Sequence, residues 1–462
     1  MTQEHTAVTP TIFRAYDIRG VVADALTAET VKKIGQAIAS EVRRRGGNTV
    51  VIGRDGRLSG AMLSDALAEG LMAAGCDVID VGQVPTPVLY FAIQHLGAGS
   101  GVAVTGSHNP PEYNGLKIVA EQETLSGPDI QDLYRRIIES DLESGEGKRQ
   151  FMSVDDDYLQ RIVSDVKMSR PMKVIADCGN GVAGELLPKL LKQMGCEVTE
   201  LFCEIDGNFP NHHPDPSQPE NLQDLIQAVQ SSDADLGLAF DGDGDRLGVV
   251  DRNGKVIWPD RQLMLFVADI LSRNPAGKII FDVKCTYNLP DVIRSHGGEP
   301  IMWKTGHSFI KAKLRESGAL LAGEMSGHIF FKERWYGFDD GLYAAARLLE
   351  VLSKSAESPT EIFAALPDTV NTPELKITLN EGEHYQFMER MQAEAEFPTA
   401  SINTIDGLRV DFEKGWGLVR ASNTTPCLVL RFEAQTEEDM AAIQEQFRQQ
   451  MLKVDSGMRL PF

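Results

Sequence analysis

Six short apolar runs, each ending abruptly in a glycine-bearing polar loop, constrain the fold of this chain more than any other feature. Runs at 48–52, 101–104, 173–176, 236–240, 278–281 and 319–322 lead into GRDGR, TGSHNP, DCGNG, DGDGDR, DVKCT and GEMSGH. The runs are too short for helices, and amphipathic stretches fill the gaps between them. That pattern belongs to α/β units whose strands feed functional loops. The runs come in pairs, and the first members recur at intervals of roughly a hundred residues, close to the usual size of a domain. A chain of 462 residues is also too long for one core. The expectation is three related α/β domains, although the identity between them is too weak to prove a repeat.

Helical spacing of apolar positions predicts helices over 28–45, 63–74, 221–230, 262–272 and 341–353. Polar, Gly- or Pro-bearing stretches at 144–153, 251–255 and 366–372 mark the boundaries. The expected domains are therefore 1–152, 153–254, 255–367 and 368–462. In the last segment the pattern changes. Candidate antiparallel strands at 375–379, 408–412, 417–420 and 428–432, then a helix near 437–453, predict a smaller α+β domain.

Charge excludes some partners. A formal net charge of -22 argues against nucleic acid and anionic membranes, which want a basic face. An anionic substrate would require Arg and Lys to be gathered locally. The start MTQEHTAVTP lacks the basic and apolar parts of a signal peptide, and no apolar run is long enough to span a bilayer. Six cysteines without CxxC pairing fit a reduced, cytoplasmic protein.

Asp241, Asp243 and Asp245, alternating with glycines, are the strongest chemical signal. Three carboxylates this close repel unless a cation sits among them, and hard divalent ions such as Mg²⁺ take oxygen ligands. Calcium in an EF-hand would need Gly and Glu where Arg246 and Arg252 stand. A solvated acidic turn is the plainer alternative. Ser107, in TGSHNP, sits in a rigid loop after a run, as a phosphoryl acceptor must. An ordinary Gly-Asn-Pro turn reads equally well there. His108 is adjacent and Lys117 follows, as a proton carrier, a phosphate contact or a solvated side chain.

Arg420, Ser422, Asn423, Thr424 and Thr425 in RASNTTP offer a guanidinium, hydroxyls and turn N–H groups that can wrap a dianion. Glu324 and Ser326, with His328 close by, suit paired sugar hydroxyls or a capped helix start. Arg14, Tyr16, Arg19, Lys284, Lys304 and His307 add potential anion contacts on several domains.

In this order, the serine, DGDGDR, GEMSGH and RASNTTP loops resemble the bacterial phosphomannomutase/phosphoglucomutase branch of the α-D-phosphohexomutase family. The resemblance runs from Phe13 into the C-terminal domain, and no motif position departs from the pattern. It implies three α/β domains plus a smaller fourth around a central cleft, the fourth swinging to close over bound sugar. It further implies that Ser107 carries the phosphoryl group, and that Asp241, Asp243 and Asp245 hold Mg²⁺ with an oxygen of the Ser107 phosphoryl. By the same resemblance Arg246 lies beside that group, Lys117 is the general acid or base, and Arg19 and His328 lie near the reacting hydroxyl. Glu324 and Ser326 then contact O3 and O4 of the sugar. The phosphate loop is Arg420, Ser422, Asn423, Thr424 and Thr425, with Tyr16, Lys284 and His307 as further contacts. The implied reaction interconverts hexose 1-phosphate and 6-phosphate of glucose and mannose through a hexose 1,6-bisphosphate, feeding polysaccharide synthesis. The implied protein is a monomer whose partners are small phosphosugars.

Met325 and Thr105-Gly106 favour this branch over the phosphoglucosamine mutases. An aspartate-nucleophile phosphatase would explain an apolar strand before Asp241 but leave TGSHNP unexplained. A sugar-phosphate sensor would have no use for Ser107.

Overall fold

The computed structural model describes residues 8–398, 400–423 and 425–462. Its first three sheets repeat one arrangement. In the first, the run Thr49–Arg54 pairs in parallel with Asp77–Gln83 on one side and with Ser100–Val104 on the other, and Ser100–Val104 turns back into antiparallel Tyr113–Ala120. The second sheet places Lys173–Asp177 between Glu197–Leu201 and Leu236–Phe240, which returns antiparallel as Leu247–Asp251. The third sets Lys278–Asp282 between Glu299–Trp303 and Leu321–Gly323, which returns as Ile329–Phe331. Topology thus supplies the repeat that sequence identity left unproven. Each second run is the first arm of a hairpin, and its polar loop is the hairpin's turn.

Alternation along the first runs explains how these sheets assemble. Side chains one residue apart point to opposite faces of a strand. Val51, Val174, Ala176, Ile279 and Phe281 join one buried cluster that extends through all three sheets. Their neighbours Val50 and Ile52, Ile175 and Ile280 face three separate clusters covered by each sheet's own helices. Every sheet therefore has one private core and one shared core. In the first private core the helices Ala28–Arg44 and Gly60–Ala73 meet backbone to backbone. A Cβ on Gly70 would lie 2.1 Å from the Lys32 carbonyl oxygen, so only glycine fits.

Element ends differ from expectation for local reasons. The 262–272 helix begins earlier, at Pro259, whose missing N–H costs nothing in a first turn. The 221–230 stretch splits into a 3₁₀ turn, Pro219–Leu222, and the helix Gln223–Gln230. Within the expected boundary 144–153, Arg149–Phe151 instead adds a parallel edge strand to the first sheet, where Arg149 pairs with Asp65 and Asp80.

The C-terminal sheet is antiparallel and built around Gly415–Ala421 and Cys427–Ala434. Its core is its own, packed beneath Glu437–Val454 and Glu383–Glu394. The latter helix escaped the sequence reading although His384, Phe387, Met388 and Met391 are buried at helical spacing. No helix among the described residues is long and apolar enough to cross a membrane.

Candidate active site

Four hairpin turns, one from each sheet, open onto a single cleft of about 440 Å³. Tyr16, Arg19, Ser107 and Lys117 line it from the first domain, and Arg246 from the second. Lys284, His307, Glu324, Ser326 and His328 come from the third, and Arg420, Ser422, Asn423 and Thr425 from the C-terminal domain. Two of the expected anion contacts do not join them. Arg14 is not among the lining residues, and the Lys304 ammonium lies 4.0 Å from the Phe309 ring centre instead. The attraction of a cation to an aromatic face accounts for that placement. Thr424 lies outside the described residues.

The serine turn is held from below by the first run's loop, GRDGR, which the sequence reading used only as a punctuation mark. The fully buried Arg57 guanidinium donates to the carbonyls of Ser107 (2.9 Å), Asn109 (2.5 Å), Pro110 (2.5 Å) and Tyr113 (2.9 Å). Asp55 anchors Arg57 at 3.2 Å and accepts from the Thr105 hydroxyl (2.8 Å) and the Gly106 N–H (3.0 Å). A Cβ on Gly106 would run into that guanidinium, at 2.3 Å. Ser107 itself has φ +52°, a conformation that disfavours any residue with a side chain. Such strain persists only where surroundings over-determine it, and the six side-chain bonds from Arg57 and to Asp55 do so here. His108 turns toward its neighbour, with Nδ1 3.2 Å from Ser107 Oγ. Burial, with Arg246 and Arg19 nearby, pushes the His108 ring well below its ordinary pKa, so the ring is neutral.

Ser107 Oγ lies 3.4 Å from Asp241 Oδ2. Asp241, Asp243 and Asp245 are completely buried, and their oxygens approach within 4.8 Å of one another. Asp241 accepts the backbone N–H groups of Asp245 and Arg246. Asp243 accepts from Thr86 Oγ (2.6 Å), which ties the acidic turn to the first domain. Lys117 Nζ reaches Asp243 at 2.8 Å and Asp245 at 2.5 Å. Burial and the two neighbouring carboxylates push Asp241 well above the ordinary carboxylate range. Burial opposes the charge on Lys117, yet Asp243 and Asp245 outweigh it and hold the ammonium well above its usual pKa. One oxygen each of Asp243 and Asp245 is buried with no hydrogen bond among the described residues, the Asp245 oxygen lying 3.4 Å from His328 Nδ1. Converging carboxylates with unused oxygens, beneath a cleft, fit a hard divalent cation such as Mg²⁺.

On the third domain, GEMSGH is a tight hairpin turn, not a helix start. Glu324 Oε1 accepts the Gly306 N–H at 2.6 Å, while Oε2 is buried without a partner. Both ring nitrogens of His307 likewise lack a hydrogen bond, and burial beside Lys311 keeps that ring neutral. His328 Nε2 accepts from Arg246 Nε at 3.0 Å, and Nδ1 lies 3.0 Å from Asp339. Asp339, itself 3.0 Å from Lys311, was not singled out in the sequence. Nothing local marks it, since its partners stand 11 and 28 residues away along the chain.

The C-terminal contribution is tied down across the joint with the third domain. Asp406 accepts from Arg420 Nε (3.0 Å) and from the Thr305 N–H (2.9 Å). Lys284 pairs with Glu374 at 2.6 Å. Ser422 and Thr425 hydroxyls are 3.2 Å apart across the turn. On the first domain, Arg19 pairs with Asp17 and donates to Asn109 at 2.5 Å. Burial, then Asp17, pushes the Tyr16 phenol up to about 12, so it is a neutral donor.

Four family models match the chain in order. They are the phosphoglucomutase/phosphomannomutase α/β/α domains I, II and III, over residues 10–144, 156–254 and 258–370, and the C-terminal domain of the same enzymes over 374–450. The chain belongs to the phosphoglucomutase/phosphomannomutase family. A phosphomannomutase/phosphoglucomutase of Pseudomonas aeruginosa is 58% identical over 461 residues, spanning 99% of this chain and 100% of that protein. A phosphoglucomutase of Neisseria gonorrhoeae is 55% identical over 447 residues, 96% of this chain and 97% of its own. The crystal structure of a phosphoglucomutase/phosphomannomutase family protein from Burkholderia thailandensis superimposes with a TM-score of 0.94 at 54% identity, covering 98% of this chain and 100% of that one. The four family domains thus follow one another in the order of the chain's four sheets.

Proposed function

We propose that this protein interconverts the 1-phosphates and 6-phosphates of mannose and glucose, with Ser107 as the residue that carries the phosphoryl group. The observation that carries this reading is Ser107 Oγ, 3.4 Å from a fully buried carboxylate triad, at the base of a cleft lined from four domains. The segments 1–152, 153–254, 255–367 and 368–462 each supply one working turn: serine, metal, sugar and phosphate.

In the first transfer the sugar O6 attacks the phosphorus on Ser107, the O6–P bond forms and the Oγ–P bond breaks. The O6 proton passes to a group beside the hydroxyl, for which His328 is the candidate, with Arg19 close by, while the Lys117 ammonium is placed as the acid that can give O1 a proton. The product, a hexose 1,6-bisphosphate, turns end over end in the cleft. Its 1-phosphoryl group then returns to Ser107, and O1 regains a proton. Asp241, Asp243 and Asp245 would hold Mg²⁺, which when bound neutralises charge on the transferring group. Arg246 adds a guanidinium beside Asp241, at 3.6 Å. Glu324 and Ser326 face O3 and O4, which glucose and mannose share. Arg420, Ser422, Asn423 and Thr425, with Lys284, hold whichever phosphate is not reacting, and Tyr16 and His307 complete the contacts. Both ends of the bisphosphate are dianions of similar geometry, so one pocket serves either. We read the protein as a cytoplasmic monomer that supplies sugar 1-phosphates for nucleotide-sugar and polysaccharide synthesis.

The test is formation of 6-phosphate from glucose 1-phosphate, mannose 1-phosphate and glucosamine 1-phosphate, with Mg²⁺ and a trace of glucose 1,6-bisphosphate. Fast turnover of the first two, abolished by chelator, supports the reading. Preference for the amino sugar overturns it, as does free phosphate without isomerisation. Ser107→Ala should end labelling of the protein by phosphoryl-labelled bisphosphate, and label persisting elsewhere would sink the nucleophile assignment.

A further inference from the structure

Two cysteines that the reaction does not use meet beside the acidic turn. Cys178 is the first residue after the strand Lys173–Asp177, and Cys203 follows the neighbouring strand Glu197–Leu201. These strands run in parallel with Asp177 opposite Leu201, so both chains leave the sheet at the same level. The two sulfurs are 3.5 Å apart. Neighbouring strands are spaced about 4.8 Å apart, within the Cα range that a disulfide spans. Closing an S–S bond of about 2.05 Å needs a shift of about 1.5 Å, which side-chain rotation and small backbone adjustments supply.

The pair is also asymmetric. Cys203 is partly exposed, whereas Cys178 and the other four cysteines are buried. The hydrogen bond with Cys178 draws the Cys203 thiol below its ordinary pKa, against burial. The same bond, then burial, raises Cys178. The accessible partner is thus the one that an oxidant reaches, and the buried one is placed to resolve it.

The loop that begins at Cys178 leans on the metal turn. Val182 N–H donates to the Gly242 carbonyl at 3.1 Å, and a Cβ on Gly181 would lie 3.0 Å from the carbonyl oxygens of both Asp241 and Gly242. Cys203 opens the segment that brings Asp215 to 3.9 Å from Arg246. A bond between the two would therefore pull on both sides of the acidic turn.

We propose that Cys178 and Cys203 form a peroxide-sensitive dithiol whose disulfide restrains the acidic turn and slows turnover. The Cys203 thiolate attacks hydrogen peroxide, the O–O bond breaks, and one water leaves once a proton is taken up, giving a sulfenic acid on Cys203. The Cys178 sulfur then attacks that sulfur, the S–O bond breaks, and the departing hydroxide takes the Cys178 proton as a second water. Two thiols lose two electrons, and one peroxide is reduced to two waters.

Reduced full-length protein treated with hydrogen peroxide should lose two daltons and yield, on digestion without reduction, one peptide pair joining 178 to 203. Its kcat should fall about tenfold, as disturbance of a metal site's outer partners costs, and recover with dithiothreitol. Cys203→Ser should show neither the mass change nor the reversible loss. Cys178→Ala should stop at a trappable sulfenic acid on Cys203, which keeps the assignment testable if either substitution weakens the fold. The mass readout does not depend on which sugar phosphate is the substrate. The proposal is overturned if the bond fails to form while other residues oxidise, if it forms with kcat unchanged, or if Cys203→Ser loses activity to the same degree.

Discussion

The first three sheets are joined by a continuous apolar core, whereas the C-terminal domain is attached through a small apolar patch and many polar links. The shared cluster includes Val51, Phe240 and Phe281, one side chain from each sheet. At the other joint the buried apolar contact is Val283 against Trp416 and Leu418. Around it lie Arg409, donating to the carbonyls of Val283 (2.7 Å) and Cys285 (2.9 Å), Thr286 donating to Glu433 (2.5 Å), and the Lys284–Glu374 pair. Apolar burial is non-directional and is lost in bulk when surfaces part, so it favours a fixed assembly. Hydrogen bonds and ion pairs can be exchanged for water at modest net cost. The groups proposed to hold the reacting serine, cation and sugar hydroxyls thus sit on the fixed part. The turn proposed to bind phosphate sits on the part held mainly by exchangeable polar links.

The largest expected effect is chemical, within the fixed part. Asp241→Asn should cut kcat on the order of 10²-fold or more, because it removes a proposed metal ligand and a charge beside the reacting oxygen. It should raise the thermal midpoint of the metal-free protein, since like-charge crowding and burial disfavour that carboxylate. Steady-state kinetics and calorimetry in chelator read the two effects separately. A lower midpoint in chelator would mean that the triad's charge stabilises the turn.

Next comes stability. Leu348→Ala, in the shared core, should cost about 2–5 kcal/mol by denaturant titration. Leu418→Ala, the same deletion at the joint, should fall near the bottom of that range, because a joint beside an open cleft can relax. It should also quicken proteolytic release of the C-terminal domain, which Leu348→Ala should not. Equal costs with equal proteolysis would erase the distinction between the two regions.

A third test concerns Asp340, which caps the helix Gly341–Ser353 inside the shared core and accepts from Tyr158 and Trp335. Burial pushes its carboxyl up to about 7. A carboxyl raised on folding contributes stability that is full below its unfolded pKa and is lost as pH rises through the folded value. Between about pH 4 and 7 the wild type should therefore lose stability with rising pH relative to Asp340→Asn. Parallel pH–stability curves for the two proteins would show that Asp340 stays ionised throughout.

Much of this site was legible in the sequence because its chemistry sits in hairpin turns. Ser107, the three aspartates, Glu324 and Arg420 are contiguous with the glycines and hydroxyls that shape their own loops, so each motif announces itself locally. What stayed hidden acts across the fold. Arg57 braces a turn 50 residues away, and Asp406 joins Thr305 from 101 residues away. Neither spacing nor composition marks such contacts. The shared core was hidden for a different reason: runs buried on both faces carry no polar side to reveal which face meets which neighbour. The helix Glu383–Glu394, by contrast, had its signal in plain sight.

The smallest expected effect tests the joint most directly. Asp406 holds Arg420 and the Thr305 N–H on one carboxylate, so it bridges the C-terminal domain to the fixed part beside the cleft. Both bonds end on the same Asp406 oxygen, so the carbonyl of Asp406→Asn can still accept them, but the change removes the charge that strengthens each. Losing the charge behind these bonds, of which the one to Thr305 crosses the joint, is worth about 1–2 kcal/mol, or roughly a fivefold to thirtyfold change in an equilibrium. The residue touches none of the groups proposed to react. The change should therefore appear as a rise in KM within that range, with kcat altered less than about threefold, as expected when an interaction common to ground and transition states is lost. A fall in kcat at constant KM would mean that Asp406 positions Arg420 for the transfer itself, and the C-terminal domain would then belong with the chemistry rather than with the clamp.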